Sequence, residues 1–163
     1  MDFNNNYQEI DLEYCRATTG KRFTNYLIDL VVFYIITFGI AIILGIVKPE
    51  LLERFDGLSG RLISLLLYGI VMFITEAMSN GRSIGKLITG TRAVNPDGSD
   101  ITFQKAFIRN IIRAIPFNAF SALGNPCSPW HDLWSDTIVI EEKKLALQTQ
   151  KINLFDSVKN QTL

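Results

Sequence analysis

Leu27 to Val47 reads LIDLVVFYIITFGIAIILGIV. Apart from Asp29 near its start, this run carries no charged side chain. As a helix rising about 1.5 Å per residue it is roughly 31 Å long, which matches the hydrocarbon thickness of a bilayer. It reads as a first membrane span. Outward toward the N-terminus lies a polar segment, residues 1–21, that starts acidic and turns basic at Arg16, Lys21 and Arg22. Outward toward the C-terminus, Lys48-Pro49-Glu50 opens a polar connection. Pro49 suits the first turn of a short helix, and Asp56-Gly57 ends it. Leu62 to Met78 (LISLLLYGIVMFITEAM) is the second apolar run, about 25 Å as a helix, with Glu76 at its end.

Composition agrees with this reading. The chain has 163 residues, of which 48% are hydrophobic and 20% charged, and soluble domains carry nearer 25% charge. Sixteen Lys plus Arg balance sixteen Asp plus Glu, so the formal net charge is zero and no basic field exists to hold nucleic acid. Cys15 and Cys127 stand far apart and His131 is the one histidine. That donor set suits neither a disulfide framework nor a zinc module, so no metal or cofactor is expected. Met1-Asp2-Phe3-Asn4 lacks the basic start and apolar stretch of a signal peptide, so the first run is expected to stay in the mature protein.

Beyond the second span, Ser79 to Gly90 (SNGRSIGKLITG) is rich in glycine and polar residues, with Gly81, Gly85 and Gly90 as turn positions. Thr91–Val94, the Asn95-Pro96-Asp97-Gly98 turn and the stretch to Phe103 predict a small β-hairpin over 91–103. From Phe103 to Ala122 the apolar residues Phe103, Ala106, Phe107 and Ile111 line one side. Lys105, Arg109 and Arg113 recur every fourth residue on another. That pattern predicts an interfacial or re-entrant helix over 103–122, ended by Pro116 and the Gly124–Pro129 stretch. Thr137–Ile140 is a β-branched run read as a closing strand, placed on the same side as Thr91–Val94 so that the two can join a small sheet, and 141–163 reads as a charged flexible tail. The expected fold class is an all-α helical membrane protein with two transmembrane helices, one amphipathic helix and a small cytoplasmic β element. Positive residues beside the spans place the N-terminus in the cytoplasm.

The candidate site is a set of ionisable residues at membrane depth. A charge inside a lipid-facing helix costs about 3 kcal/mol by insertion scales, so Asp29 must face protein or water and find a partner. Glu76 reaches a comparable depth from the second span. Arg22 precedes Asp29 by two helical turns, and Arg109 and Arg113 supply guanidinium forks that pair with carboxylates. Arg22–Asp29 and Arg113–Asp132 are the expected structural pairs. Trp130 and Trp134 suit anchors at the headgroup level, and Lys86 and Lys105 suit contacts with anionic headgroups. Gly81 to Lys86 is one residue short of a phosphate-binding loop and has Leu87 where that loop needs Ser or Thr. No catalytic constellation is expected, since His131-Asp132 has neither a second histidine nor a nucleophile beside it.

These segments together resemble the RDD family of bacterial membrane proteins, named for an Arg and two Asp. GKRFTNYLID is similar to the family's first-span motif, with Arg22 and Asp29 at the matching positions. NGRSIGKLITGTRAVNPDG resembles the segment after the second span, RNIIRAIPF supplies the paired arginines, and WHDLWSDTIVI resembles the closing motif with Asp132 and Thr137. The resemblance covers roughly residues 16–140 and implies a multi-pass protein of the bacterial inner membrane, without implying a settled activity. Three roles follow as expectations. One is a non-enzymatic membrane component, either an accessory subunit of a larger complex or a homo-oligomer. Another is a small cation or proton transporter that uses the intramembrane carboxylates, and the third is an anionic-lipid-binding module. All three contact the lipid bilayer.

Overall fold

A computed structural model describes residues 10–53, 57–115, 118, 121 and 128–161. Most of the 1–21 segment's first half, Asp56, and the Gly124–Pro126 and Cys127 part of the expected break lie outside the described residues, as do Pro116 and the chain's last two positions. The first apolar run is the core of α1 (Thr19–Val47), which begins well before Leu27 because Thr18 caps it, its hydroxyl accepting from the Lys21 N–H. A single turn, α2 (Glu50–Glu53), leads into α3 (Gly57–Met78), the second apolar run. Both α1 and α3 are long and apolar enough to cross a membrane. Only 6% of the most apolar stretch of α1 and 22% of that of α3 is buried inside the protein, which is the exposure of lipid-facing helices and not of a globular core.

The glycine-rich stretch after α3 does not remain a loop. It folds into α4 (Ile84–Thr89), capped by Ser83 and closed by Gly90 in the left-handed conformation at φ 67°. Gly85 lies inside this helix and is needed for close approach, not for a turn: a Cβ there would sit 2.4 Å from the Asn25 carbonyl oxygen of α1. Gly81 is a true turn residue, at φ 82°. Then come β1 (Thr91–Val94), α5 (Phe103–Arg113), α6 (Trp130–Trp134), β2 (Ile138–Glu141) and α7 (Glu142–Gln161).

The expected hairpin over 91–103 is corrected. β1 pairs antiparallel with β2, in the register Thr91 with Glu141 and Val94 with Ile138, and the Asp-Gly turn closes only a single bridge between Val94 and Asp100. The N-terminal segment joins the other edge of β2, where Ala17 N–H donates to the Val139 carbonyl at 2.8 Å and Glu141 N–H to that of Cys15 at 2.8 Å. Small apolar clusters form on the two faces, Cys15 with Val94 and Ile140, and Ala17 with Ala93 and Val139. Since this sheet ties residues before α1, after α3 and after α6, the start of α1 and the end of α3 lie at one end of the molecule.

The arginine helix is described from Phe103 to Arg113, with Ala114 as its C-cap, and most of the remaining expected stretch to residue 122 lies outside the described residues. One further expectation changes. The segment read as a flexible tail is the helix α7. Glu142 anchors its start, with its N–H on the Gly90 carbonyl at 3.0 Å and its carboxylate 2.6 Å from Arg82. Leu145 packs on the Cys15 cluster. Lys, Leu, Ala and Gln are strong helix formers, and this outweighs the lack of an apolar stripe.

The spans touch briefly. Phe33 of α1 meets Tyr68 of α3 edge to face at 5.2 Å between centroids, with Met72 beside them. α5 lies along α3: Phe73 stacks edge-on with Phe103 and Phe107, and Gly69 admits the backbone of Asn110, whose oxygen would be 2.8 Å from any Cβ.

Candidate functional site

Each residue of the expected charge cluster reaches one buried region; Arg109 and Arg113 do meet Glu76, but the expected Arg22–Asp29 and Arg113–Asp132 pairs are not the ones formed. Arg22 and Asp29 stand two turns apart on α1, about 10 Å along the axis, beyond the reach of a direct pair in this packing. Arg22 instead donates to Asp132 Oδ2 at 2.5 Å. Asp29 forms no ion pair among the described residues. Its two oxygens accept from the Ser83 hydroxyl at 2.6 Å and the Gly85 N–H at 2.7 Å, so it caps the first turn of α4. The packing that Gly85 permits against Asn25 brings that turn within reach. Asn25, one turn before Asp29, adds a contact between its amide and the Thr91 hydroxyl at 2.9 Å.

Glu76 is fully buried at the end of α3 and collects cations. Arg113 lies 2.9 Å from Oε1, which Lys86 also reaches, while Arg109 Nε and the Asn110 amide donate to Oε2 at 3.3 and 3.0 Å. Arg109 has no exposed surface and serves two carboxylates, because its Nη1 also donates to Asp132 Oδ1 at 2.6 Å and contacts the Thr137 hydroxyl. Arg113 therefore pairs with Glu76, not with Asp132. The planar fork of a guanidinium makes such bridging practical, since its five N–H groups point in fixed, divergent directions.

The electrostatics outside the spans follow from burial and neighbours. Burial alone would raise the Asp132 carboxyl, but the guanidiniums of Arg109 and Arg22 outweigh it and hold it far below the usual range. His131, 3.5 Å from Asp132 and in contact with Asn118, is neutral at physiological pH because burial pushes its pKa well below the ordinary value. Burial first, with Arg113 and Arg109 adding to it against the pull of Glu76, brings the Lys86 amine down to about 7.

One of the remaining expectations is corrected. Lys86 cannot meet a headgroup, since it is 2% exposed and turned inward on Glu76. Lys105 lies at the surface, 3.2 Å from the exposed Asp136. Trp130 and Trp134 do face outward, stacked nearly parallel with centroids 6.4 Å apart. Sequence reading missed Ser83, Asn110 and the inward role of Lys86. A Ser three residues before Lys86 was the available sign, since Ser followed by a short apolar run is an N-cap pattern.

What this arrangement can do chemically is limited by saturation. Every oxygen of Asp29, Glu76 and Asp132 already accepts a hydrogen bond or ion pair from the chain itself. On the cationic side, Arg22 Nε and Nη2 and Arg109 Nη2 are buried without a partner among the described residues. Arg22, Lys86, Arg109 and Arg113 thus exceed the three carboxylates by one charge when Lys86 is protonated.

Comparison with known proteins gives one match. The model of the RDD family matches residues 16–151. No curated protein and no solved structure matches the chain.

Proposed function

The chain belongs to the RDD family and is a membrane protein with two apolar helices, and from that premise we propose that it is a non-enzymatic component of the bacterial inner membrane. It works as an accessory subunit of a larger complex or as a homo-oligomer, with its N-terminus in the cytoplasm. One observation carries this reading. In α1 nothing beyond Phe33 is buried, although the helix runs on to Val47, and in α3 nothing between Gly60 and Tyr68 is buried. Two helices that leave most of their length uncovered offer surface for lateral association, which in lipid proceeds by close packing rather than by hydrophobic burial. The saturated ion cluster fits a structural role, fixing the cytoplasmic ends of the spans for presentation to a partner.

The test is the state of the protein extracted from its native membrane in mild detergent. A complex or oligomer is expected; migration only as a free monomer with nothing bound would overturn the proposal. The second reading, a cation or proton transporter, is favoured by the presence of three carboxylates and an amine near neutrality within one buried cluster. It requires Asp29→Asn to abolish ion-dependent proton flux in proteoliposomes without lowering the amount of folded protein. The saturation of all three carboxylates favours the structural reading over this one.

A further inference from the structure

The short helices around the ion cluster have the polarity of a water-soluble domain turned inside out. Their charged residues face inward: Asp132 of α6 is 2% exposed, and Arg109 of α5 has no exposed surface. Their outward residues are apolar: Leu87 and Ile88 in α4, Phe103 and Phe107 in α5, Trp130 and Trp134 in α6, with Ile88 67% and Phe103 70% exposed. A surface helix in water presents the opposite arrangement.

The depth of these faces is fixed by their bonds to the spans. α6 is tied to Arg22, where α1 itself exposes Phe23 and Tyr26. α4 is tied to Asp29, about 10 Å further along α1, where the lipid-facing run has already begun. α5 follows α3 from Phe73 to Gly69, away from the end where Glu76 lies. The exposed apolar residues of the three helices therefore adjoin the exposed apolar residues of α1 and α3, and they include aromatics of the kind membrane proteins concentrate at the edge of the hydrocarbon layer.

We propose that α4, α5 and α6 are sunk in the headgroup–acyl boundary of the leaflet in which α1 begins and α3 ends, forming an apolar collar that seals the ion cluster from water. The occupant of this surface is lipid. α5, with 11 residues, is about 16 Å long and cannot cross the bilayer. β1 before it and β2 after α6 belong to one sheet, so the chain between them returns to the side it left. This placement does not depend on whether the protein is an accessory subunit or a transporter.

The chain's two tryptophans are Trp130 and Trp134, so its indole fluorescence reports α6 alone. The unmodified full chain is reconstituted into phosphatidylcholine vesicles containing a minor share of phosphatidylglycerol, with the acyl chains brominated near the glycerol end or near the methyl end. The expected result is a blue-shifted emission that loses most of its intensity to the shallow bromines, less to the deep ones, and little to aqueous iodide. Strongest quenching by the deep bromines would overturn the proposal, since α6 would then lie in the bilayer centre. Quenching by iodide with none by either bromine would overturn it as well, since α6 would then lie in water or under another protein.

Discussion

Replacing Asp132 by Asn is the sharpest probe of the cluster. The substitution keeps the shape of the side chain and removes the charge that Arg22 and Arg109 share, at 2.5 and 2.6 Å. The two arginines fare differently. Arg109 keeps Glu76 at 3.3 Å, whereas among the described residues Arg22 has no other anionic partner, and its Nε and Nη2 are buried without a hydrogen bond. Removing one partner of a buried pair leaves an uncompensated charge and costs about 3–5 kcal/mol. For a chain of this size each kcal/mol moves the melting temperature by about 2–4 °C, so the expected loss is on the order of 10 °C in detergent.

The informative step is the second substitution. Arg22→Gln alone leaves Asp132 paired with Arg109 and lowers the excess positive charge, so it should cost less than Asp132→Asn. Combined, the two changes remove the stranded guanidinium together with its lost counter-charge, and the double variant should melt above Asp132→Asn alone. Contacting residues typically show coupling of about 0.5–3 kcal/mol, enough to resolve by calorimetry or by the fluorescence of Trp130 and Trp134. If the two losses simply add, or if Asp132→Asn melts within a degree or two of the parent, the buried pairing described here is wrong.

Other outcomes follow from neighbouring contacts. Exchanging the charges of Arg22 and Asp29 in one variant should yield no more folded, monodisperse protein than either single change, because each residue bonds elsewhere; recovery to parental yield would restore the same-helix pair. Gly85→Ala should cost about 1–3 kcal/mol by overpacking against the Asn25 carbonyl 2.4 Å from the new methyl, with a matching drop in melting temperature. Gly39→Ala meets nothing within 4 Å and should be neutral or slightly stabilising, and equal effects at both sites would refute the close approach of α4. Lys86, facing Glu76, Arg109, Arg113 and neutral His131, has its amine lowered to about 7 from an ordinary 10.5. Below pH 7 the folded and unfolded chains both hold the proton and the burial penalty is fully present. Between the two values the unfolded chain keeps a proton the folded one has released, so stability rises with pH. Melting temperature should therefore climb from about pH 7 to about pH 10 in the parent and lose that component in Lys86→Met; identical pH profiles would remove Lys86 from the buried cluster.

How much of this was legible in the sequence depended on what each feature answers to. The spans were legible because lipid demands an unbroken apolar run, and Leu27–Val47 supplies one. The arginine stripe was legible because Arg109 and Arg113 fall on one helical face. Their pairing with Glu76 was legible too; the partners of Arg22 and Asp29 were not, since spacing along α1 places the two on a common side but carries no information about which helix arrives opposite them. α4 was hidden because Gly81, Gly85 and Gly90 read as breakers, whereas Gly85 is needed for contact with Asn25. The sheet of Thr91–Val94 with the closing strand was legible from the side of the membrane both share, whereas the hairpin was overread: Asp97-Gly98 is a genuine turn signal, yet it closes a single bridge. α7 was missed because it has no apolar period to read, its helix being held by propensity and by the anchoring of Glu142.

The bonds described above close into a circuit. From α1, Arg22 reaches Asp132 on α6; Asp132 reaches Arg109 on α5; Arg109 reaches Glu76 on α3; Glu76 reaches Lys86 on α4; and the first turn of α4 returns to Asp29 on α1. The apolar contact between α1 and α3 centres on Phe33, Tyr68 and Met72, with Val71 packed against them. Between helices solvated by lipid there is little hydrophobic gain from pressing apolar faces together, so two apolar spans alone would not select one relative placement. A ring of directional, charge-assisted bonds does select one, because each guanidinium or carboxylate is satisfied in few orientations. Arg109 makes one of the two links between α1 and α3, bonding Asp132 and Glu76 where Arg22 bonds one carboxylate, and α4 makes the other through Asp29 and Lys86.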